Sequence, residues 1–140
     1  MRLAIVALAL AGCSANDQAG RADSLTAARA LLAAEEALLV APGVVSAPIG
    51  GVARLNGREI RPIAIVENSL CPVDVTCAWA GRLRLRVSIS GVPGEPVLEL
   101  HQAFALPGGG EVRLVAIAPP NFHRPPPGLD LNRPPRFGFR

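Results

Sequence analysis

The chain contains no tyrosine and no lysine, and it has only one tryptophan and one methionine. All fourteen basic residues are therefore arginines, and they leave a formal net charge of only +3. A net charge this small does not by itself indicate nucleic-acid binding. No apolar run approaches the roughly 20 residues that a membrane-spanning helix needs. A length of 140 residues is enough for a single domain.

The usual catalytic signatures are also missing. The sequence has no G-x-S-x-G nucleophile segment, no H-E-x-x-H zinc motif and no dinucleotide-binding glycine pattern. The Gly108–Gly110 turn is not a phosphate loop, because no G-K-S/T follows it. We therefore expect a non-enzymatic protein without a cofactor or a metal.

The first residues have the composition of an export signal. Arg2 is followed by an apolar run at 3–10 and by the small residues Ala11 and Gly12. The segment Leu10-Ala11-Gly12-Cys13 resembles the lipobox of bacterial lipoproteins. The resemblance implies that residues 1–12 are removed and that Cys13 is acylated, so that a lipid bilayer is the first partner. The residue directly after the cysteine is Ser14 and not an acidic residue. This resembles the pattern of lipoproteins that are sorted to the outer membrane and face the periplasm.

Residues 13–49 are predicted to hold the lipidated tether and one short helix. The small and polar stretch at 14–22 is typical of a tether. Ser24 is a suitable N-cap, and alanine, leucine and glutamate dominate the following residues up to Leu39. Pro42-Gly43 ends the helix. Whether this helix packs on the domain stays open at this point.

From residue 50 the apolar residues alternate with period two, which is typical of strands. Asn56-Gly57 is a strong hairpin turn, because both residues tolerate positive φ. Pro119-Pro120 ends the last strand of this region. We predict a mainly β domain at 50–120, folded as an antiparallel β-sandwich of Ig-like topology, with a small barrel as the alternative. The predicted strands are Val52–Leu55, Glu59–Glu67, Arg82–Ser90, Val97–Gln102, Phe104–Leu106 and Glu111–Ala118.

The clearest alternation lies in the strand at 82–90. Its four apolar residues point to one face, and Arg82, Arg84 and Arg86 point to the other. This pattern predicts a sheet with one buried and one solvated face, with Glu99 opposite one of the arginines. A functional alternative is that the three arginines bind an anionic lipid or an envelope polymer.

The Pro-rich tail at 121–140 offers little that could build a core, although Phe137-Gly138-Phe139 has the composition of a last strand. His123 lies in this tail, and His101 lies on the outward side of a predicted strand. Both are interpreted as surface residues. A metal-trafficking site made of the two histidines and the thiols of Cys71 and Cys77 is the alternative, although the cysteine spacing differs from that of structural zinc sites.

With Cys13 assigned to lipid, Cys71 and Cys77 remain as an even pair in an exported protein, which predicts a disulfide. Five residues separate them, so a short bridged loop is feasible if the side chains converge. Pro72 favours a turn within it. Trp79 is expected to pack over the disulfide or to cap one end of the core.

Residues 67–81 read E-N-S-L-C-P-V-D-V-T-C-A-W-A-G. They resemble a motif of small, uncharacterised bacterial exported proteins, many of them lipoproteins, written roughly E-D-S-R-C-P-x-x-V-x-C-x-W-A-G. Asn68 and Leu70 depart from this pattern, where aspartate and arginine are usual. Looser similarity extends over 52–120. The resemblance implies a β-rich domain with a Cys71–Cys77 bridge, and it supplies no activity.

The sequence thus predicts a membrane-anchored lipoprotein whose sandwich binds or supports an envelope component. The predicted contacts are Trp79 with its loop and the arginines at 82, 84 and 86. A second hypothesis is an inhibitor or chaperone-like module that presents the disulfide loop to a periplasmic protein.

Overall fold

The computed structural model describes residues 14–140. One helix precedes eight strands, and the chain is mainly β, as predicted. The elements are α1 (Ser14–Leu38), β1 (Val45–Pro48), β2 (Ala53–Leu55), β3 (Arg58–Asn68), β4 (Leu83–Ile89), β5 (Val97–Glu99), β6 (Ala103–Ala105), β7 (Glu111–Ala118) and β8 (Arg136–Phe139). Residues 1–12 and Cys13 lie outside the described residues.

The strands form two four-stranded sheets, whose paired strands are all antiparallel. The first sheet has the order β1-β8-β7-β6, and the second has the order β2-β3-β4-β5. The predicted antiparallel sandwich is confirmed. Its Ig-like version is not confirmed, because both sheets are built from strands that neighbour one another along the chain, with β1 added beside β8.

The core lies between the two sheets, and β4 shows how the sequence determines it. Leu83, Leu85, Val87 and Ile89 are all buried, while the residues between them are exposed or half-buried. Phe137 and Phe139 of β8 are fully buried in the same cluster, opposite the leucines. Aromatic rings on a strand of only four residues therefore supply much of the apolar surface of the first sheet.

The Asn56-Gly57 turn is confirmed as the connection between β2 and β3. Both residues have positive φ, 50° and 77°, and Leu55 is paired with Arg58 across the turn. This is the geometry that a two-residue hairpin requires. Strand β3 then changes register twice against β4, around Pro62 and around Ile65. A proline that cannot donate to the ladder fits such an irregular strand.

Helix α1 packs against the outer face of the first sheet. Leu39, directly after the helix, is buried with Ala116 and Ala118 of β7. Small residues let the helix approach here: a Cβ on Gly138 of β8 would lie 3.3 Å from the Leu39 side chain and 3.1 Å from that of Val44. The helix is thus part of the domain, which answers the question that the sequence left open.

The predicted start of the helix is wrong. Helical structure begins at Ser14, so the stretch at 14–22 that was predicted as a tether is helical as well. Ser24 lies inside the helix, where its hydroxyl donates to the carbonyl of Gly20 at 2.8 Å instead of capping an N-terminus. Gly20 lies four positions before Ser24, which is the back-bonding that serine adopts within a helix.

Strand β1 was not predicted, and its partner explains why. Val45–Pro48 pairs with Arg136–Phe139 at the other end of the chain. The predicted last strand at 137–139 is therefore present, and it lies between β1 and β7. The sandwich thus includes β1, which precedes the predicted domain at 50–120, and β8, which follows it.

The packing of α1 gives a matched test. Leu39 is 7% exposed and its neighbour Leu38 is 44% exposed. Replacing Leu39 with alanine should lower the free energy of unfolding by about 2–3 kcal/mol, because a buried cavity is left. Replacing Leu38 with alanine should cost under about 1 kcal/mol. Urea unfolding measures both values, and equal losses would contradict the packing of the helix described above.

Candidate functional site

The segment that resembles exported proteins connects β3 to β4, and we call residues 69–82 the disulfide loop. Its base is closed by three hydrogen bonds between Ser69 and Arg82, of which two involve a backbone N–H. The Ser69 N–H donates to the Arg82 carbonyl at 2.8 Å, and the Arg82 N–H donates to the Ser69 hydroxyl at 3.0 Å. The loop therefore leaves the sheet through a narrow neck.

Gly81 is required at this neck. Its φ is +72°, and a Cβ there would overlap the carbonyl oxygen of Ser69 and lie 2.8 Å from the Cα of Leu70. Both the backbone conformation and the close approach of the two chain segments exclude a side chain.

Within the loop, Cys71 and Cys77 form the predicted disulfide, with their Cα atoms 5.8 Å apart. Pro72 starts the predicted turn, since its carbonyl accepts the N–H of Val75 at 3.3 Å. The Cys71 N–H donates to the Ala80 carbonyl at 3.4 Å. The bridge and these hydrogen bonds restrict both halves of the loop.

The disulfide loop is also bound to the Pro-rich tail. The carboxylate of Asp74 accepts the backbone N–H of His123 at 2.7 Å and that of Arg124 at 3.0 Å. The His123 N–H bond is the main reason why the pKa of Asp74 is lowered from its ordinary value of 3.8; the Arg124 N–H adds to the effect, and partial desolvation opposes it. Asp74 is therefore ionised at neutral pH and accepts both hydrogen bonds from the tail.

Asn121 makes a second connection between the tail and the loop. Its side chain exchanges two hydrogen bonds of 3.0 Å with the side chain of Asn68, and its carbonyl accepts the Val73 N–H at 2.9 Å. Asn68 is one of the two positions that depart from the exported-protein motif, and here it has a structural partner.

Trp79 does not cap the core as expected. It is 67% exposed, the largest exposed fraction among the large aromatic and aliphatic residues of this loop, and Val75 on the same loop is 41% exposed. The loop is thus held by polar contacts and a covalent bridge, and its largest apolar side chain faces solvent.

Arg84 and Arg86 of β4, with Arg82 directly before the strand, lie on the outer face of the second sheet, as the alternation predicted. Arg82 and Arg84 both approach the Glu67 carboxylate, at 3.5 and 3.8 Å, and Arg84 is directly opposite Glu99 in the register. The expected cross-strand neighbour is confirmed, although the ion pair is made to Glu67. Arg86 is exposed, and its neighbours in the register are Ala64 and Val97. Two carboxylates thus offset much of the positive charge of this face.

The two histidines are not brought together with the cysteines as a metal site. The thiols are joined in the disulfide, and the described residues 14–140 contain no group of three or more histidine, cysteine, aspartate or glutamate side chains suited to a metal. His101, with φ of 67°, instead lines a groove of about 210 Å³ beside Cys71 and Asn121. His123 is exposed in the tail.

Sequence reasoning missed the roles of Asp74 and Asn121. Neither belongs to a local pattern, because their partners lie about fifty residues away along the chain: the separation is 49 residues for Asp74 to His123 and 53 for Asn68 to Asn121. For Asp74 the only signal was a charged residue within a loop bounded by cysteines, and Asn121 in the tail carried none.

Comparison of the chain with protein-family models, with curated proteins and with solved structures found no match. The resemblance of residues 67–81 to exported proteins therefore stays a prediction. Within residues 14–140, no helix combines the length and the apolar character that crossing a membrane requires.

Gly81 provides a test of the neck of the loop. A Gly81→Ala variant should lose about 2–4 kcal/mol of unfolding free energy, because it combines the left-handed conformation with a steric overlap. Gly94 is the matched control, since its φ is also +72° but a Cβ there meets no atom within 4 Å. Gly94→Ala should lose only the conformational part, about 1–2 kcal/mol. Thermal or urea unfolding that ranks the two variants equally would contradict this account.

Proposed function

We propose that this chain is a lipid-anchored bacterial envelope protein whose sandwich is a non-enzymatic binding module. The anchor is supported by the signal-like residues 1–12 and by the lipobox resemblance at Leu10–Cys13. The Ser14 that follows favours the outer membrane, with the domain facing the periplasm. The disulfide is consistent with an oxidising compartment.

The observation that carries the binding role is the exposure of Trp79 on a restrained loop. A tryptophan that is 67% exposed gains little from burial within its own domain, so its position is not explained by folding. The bridge and the Asp74 hydrogen bonds fix the loop before any partner arrives. A preorganised loop loses less conformational entropy on binding, which favours recognition.

The reactive groups of the disulfide loop support binding over catalysis. Both thiols are joined in the bridge, Asp74 is held by backbone N–H groups, and Glu67 lies beside two arginines. Each of these four groups therefore has a structural partner.

Between the two predicted contact surfaces, the disulfide loop is the better candidate. Arg82 and Arg84 are offset by Glu67 and Glu99, and a face of mixed charge attracts anionic partners weakly. The loop, by contrast, offers exposed apolar side chains on a fixed backbone.

Fractionation of bacterial cells that produce the full chain tests the anchor. The wild-type protein should be retained in the membrane fraction with an acylated Cys13 in its mass spectrum, and Cys13→Ser should be found in the soluble periplasmic fraction. A wild-type product that is soluble, with an unmodified amino terminus, would contradict the anchor.

The binding role is tested by adding purified Cys13→Ser protein, recovered after export, to isolated envelope fragments. Trp79→Ala in this background should reduce sedimentation with the envelope at least about tenfold, the effect of losing one well-placed aromatic contact. Arg86→Ser is the matched control and should bind nearly as before. Unchanged binding of the Trp79 variant would contradict the role of the loop.

A further inference from the structure

A groove of about 280 Å³ opens between the two sheets at the end of the sandwich opposite the disulfide loop. Strand β3 runs from one end to the other: it begins at Arg58, which lines this groove, and the disulfide loop follows its last residue, Asn68. Eleven residues in extended conformation place the two sites roughly 30 Å apart. The groove is thus separate from the binding surface proposed above.

The floor of this groove is apolar and belongs to the core. Ile60 and Ile89 of the second sheet and Val112 of the first sheet line the groove, and each is at most 2% exposed. Leu106 lines the groove as well and packs against the same core. The turn that follows consists of Gly108–Gly110, which have no side chains to fill the gap between the sheets. The groove therefore offers an aliphatic chain an apolar floor between the two sheets.

A positive charge lies at the groove. Arg58 is half-buried, and its guanidinium donates to the carbonyls of Ser90 and Pro107, at 2.8 Å each. These two residues directly follow Ile89 and Leu106, so the guanidinium bridges the two sides of the groove. Within residues 14–140, no aspartate or glutamate forms an ion pair with Arg58. A half-buried charge that only neutral carbonyls contact favours an anion from outside the chain.

The guanidinium of Arg58 has donors left for such an anion. A guanidinium carries five N–H groups, and the two carbonyls use two of them. Gly91 allows its close approach, because a Cβ there would lie 2.7 Å from Nη1 of Arg58. The other charged residue of the groove, Glu111, is paired with Arg113 at 2.7 Å. A carboxylate would thus meet a planar cation of matching geometry.

We propose that this groove binds an aliphatic monocarboxylate, with the carboxylate on Arg58 and the chain on Ile60, Ile89 and Val112. A volume of 280 Å³ equals that of about nine water molecules in the liquid, which suits a carboxylate with a chain of about six carbons. One charged group above an apolar floor is typical of sites for small amphipathic ligands. This site depends neither on the lipid anchor nor on Trp79.

Sodium hexanoate is the probe, and the Cys13→Ser protein is titrated with it at pH 7 while NMR follows the backbone amides. We expect saturable shifts at Gly109 and Gly110 and none at the Trp79 indole. The eight non-hydrogen atoms of hexanoate, at the modest efficiency of drug-sized ligands, give half-saturation by about 20 mM. Hexanol lacks the charge and acetate lacks the chain, so each should bind at least about tenfold more weakly.

Two variants separate the charge from the apolar floor. Arg58→Gln should weaken the binding of hexanoate at least about tenfold and leave that of hexanol nearly unchanged. Arg54→Gln is the matched control, since Arg54 belongs to the same hairpin, pairs with Glu59 and does not line the groove. Leu106→Phe keeps Arg58 and fills the groove, so it should weaken hexanoate and hexanol alike. It is the deciding variant if Arg58→Gln does not fold.

Three results would overturn the site. The first is the absence of saturable shifts at Gly109 and Gly110 up to about 20 mM hexanoate. The second is binding of hexanol or acetate as tight as that of hexanoate, because the ligand would then need only the chain or only the charge. The third is hexanoate binding that survives in full in both Arg58→Gln and Leu106→Phe.

Discussion

The carboxylate of Asp74 holds together parts of the chain that the sheets alone would leave separate. It lies inside the ring closed by Cys71 and Cys77, and it accepts two backbone N–H groups from the tail. The same tail is held farther along by the ion pair of Arg133 with Glu36 of α1, at 2.7 Å. The disulfide loop, the tail and the helix are therefore connected through a segment that contains no strand between Ala118 and Arg136.

This arrangement explains why an apolar side chain can remain exposed on an ordered loop. Loops usually become ordered by burying a large side chain, but here a covalent bridge and hydrogen bonds to a charged acceptor perform that role. Hydrogen bonds to an ionised group are stronger than those between neutral groups. Trp79 is consequently not needed for the core, which the leucines of β4 and the phenylalanines of β8 fill.

The parts of the fold that depend on neighbouring residues could be predicted from the sequence. The alternation in β4, the Asn56-Gly57 turn and the β7 strand at 111–118 correspond to the observed structure because each pattern reflects local geometry. The pairing of β1 with β8 could not be predicted, since Val45 and Phe139 are brought together only by the complete fold. The start of the helix was predicted wrongly because the sequence around Ser24 fits an N-cap and a helix interior equally well.

The candidate site was predictable in its covalent part and unpredictable in its polar part. Two cysteines in an exported chain indicate a bridge on their own. Trp79 was predicted to pack over the disulfide or to cap the core because its ring is large and apolar, and no local pattern records that the core is filled by residues elsewhere. The ordered tail likewise depends on Asp74 and Asn121, whose partners become visible only when the loop and the tail are placed side by side.

Amide hydrogen exchange at His123 and Arg124 tests the connection between the loop and the tail most directly. Both amides donate to Asp74, so we expect them to be protected at neutral pH in the wild-type protein and to lose that protection in Asp74→Ala. As the pH falls through the lowered pKa of Asp74, protonation of the carboxyl should reduce the protection in the wild type as well. Exchange of both amides in the wild type at the rate of an unfolded chain would contradict the account.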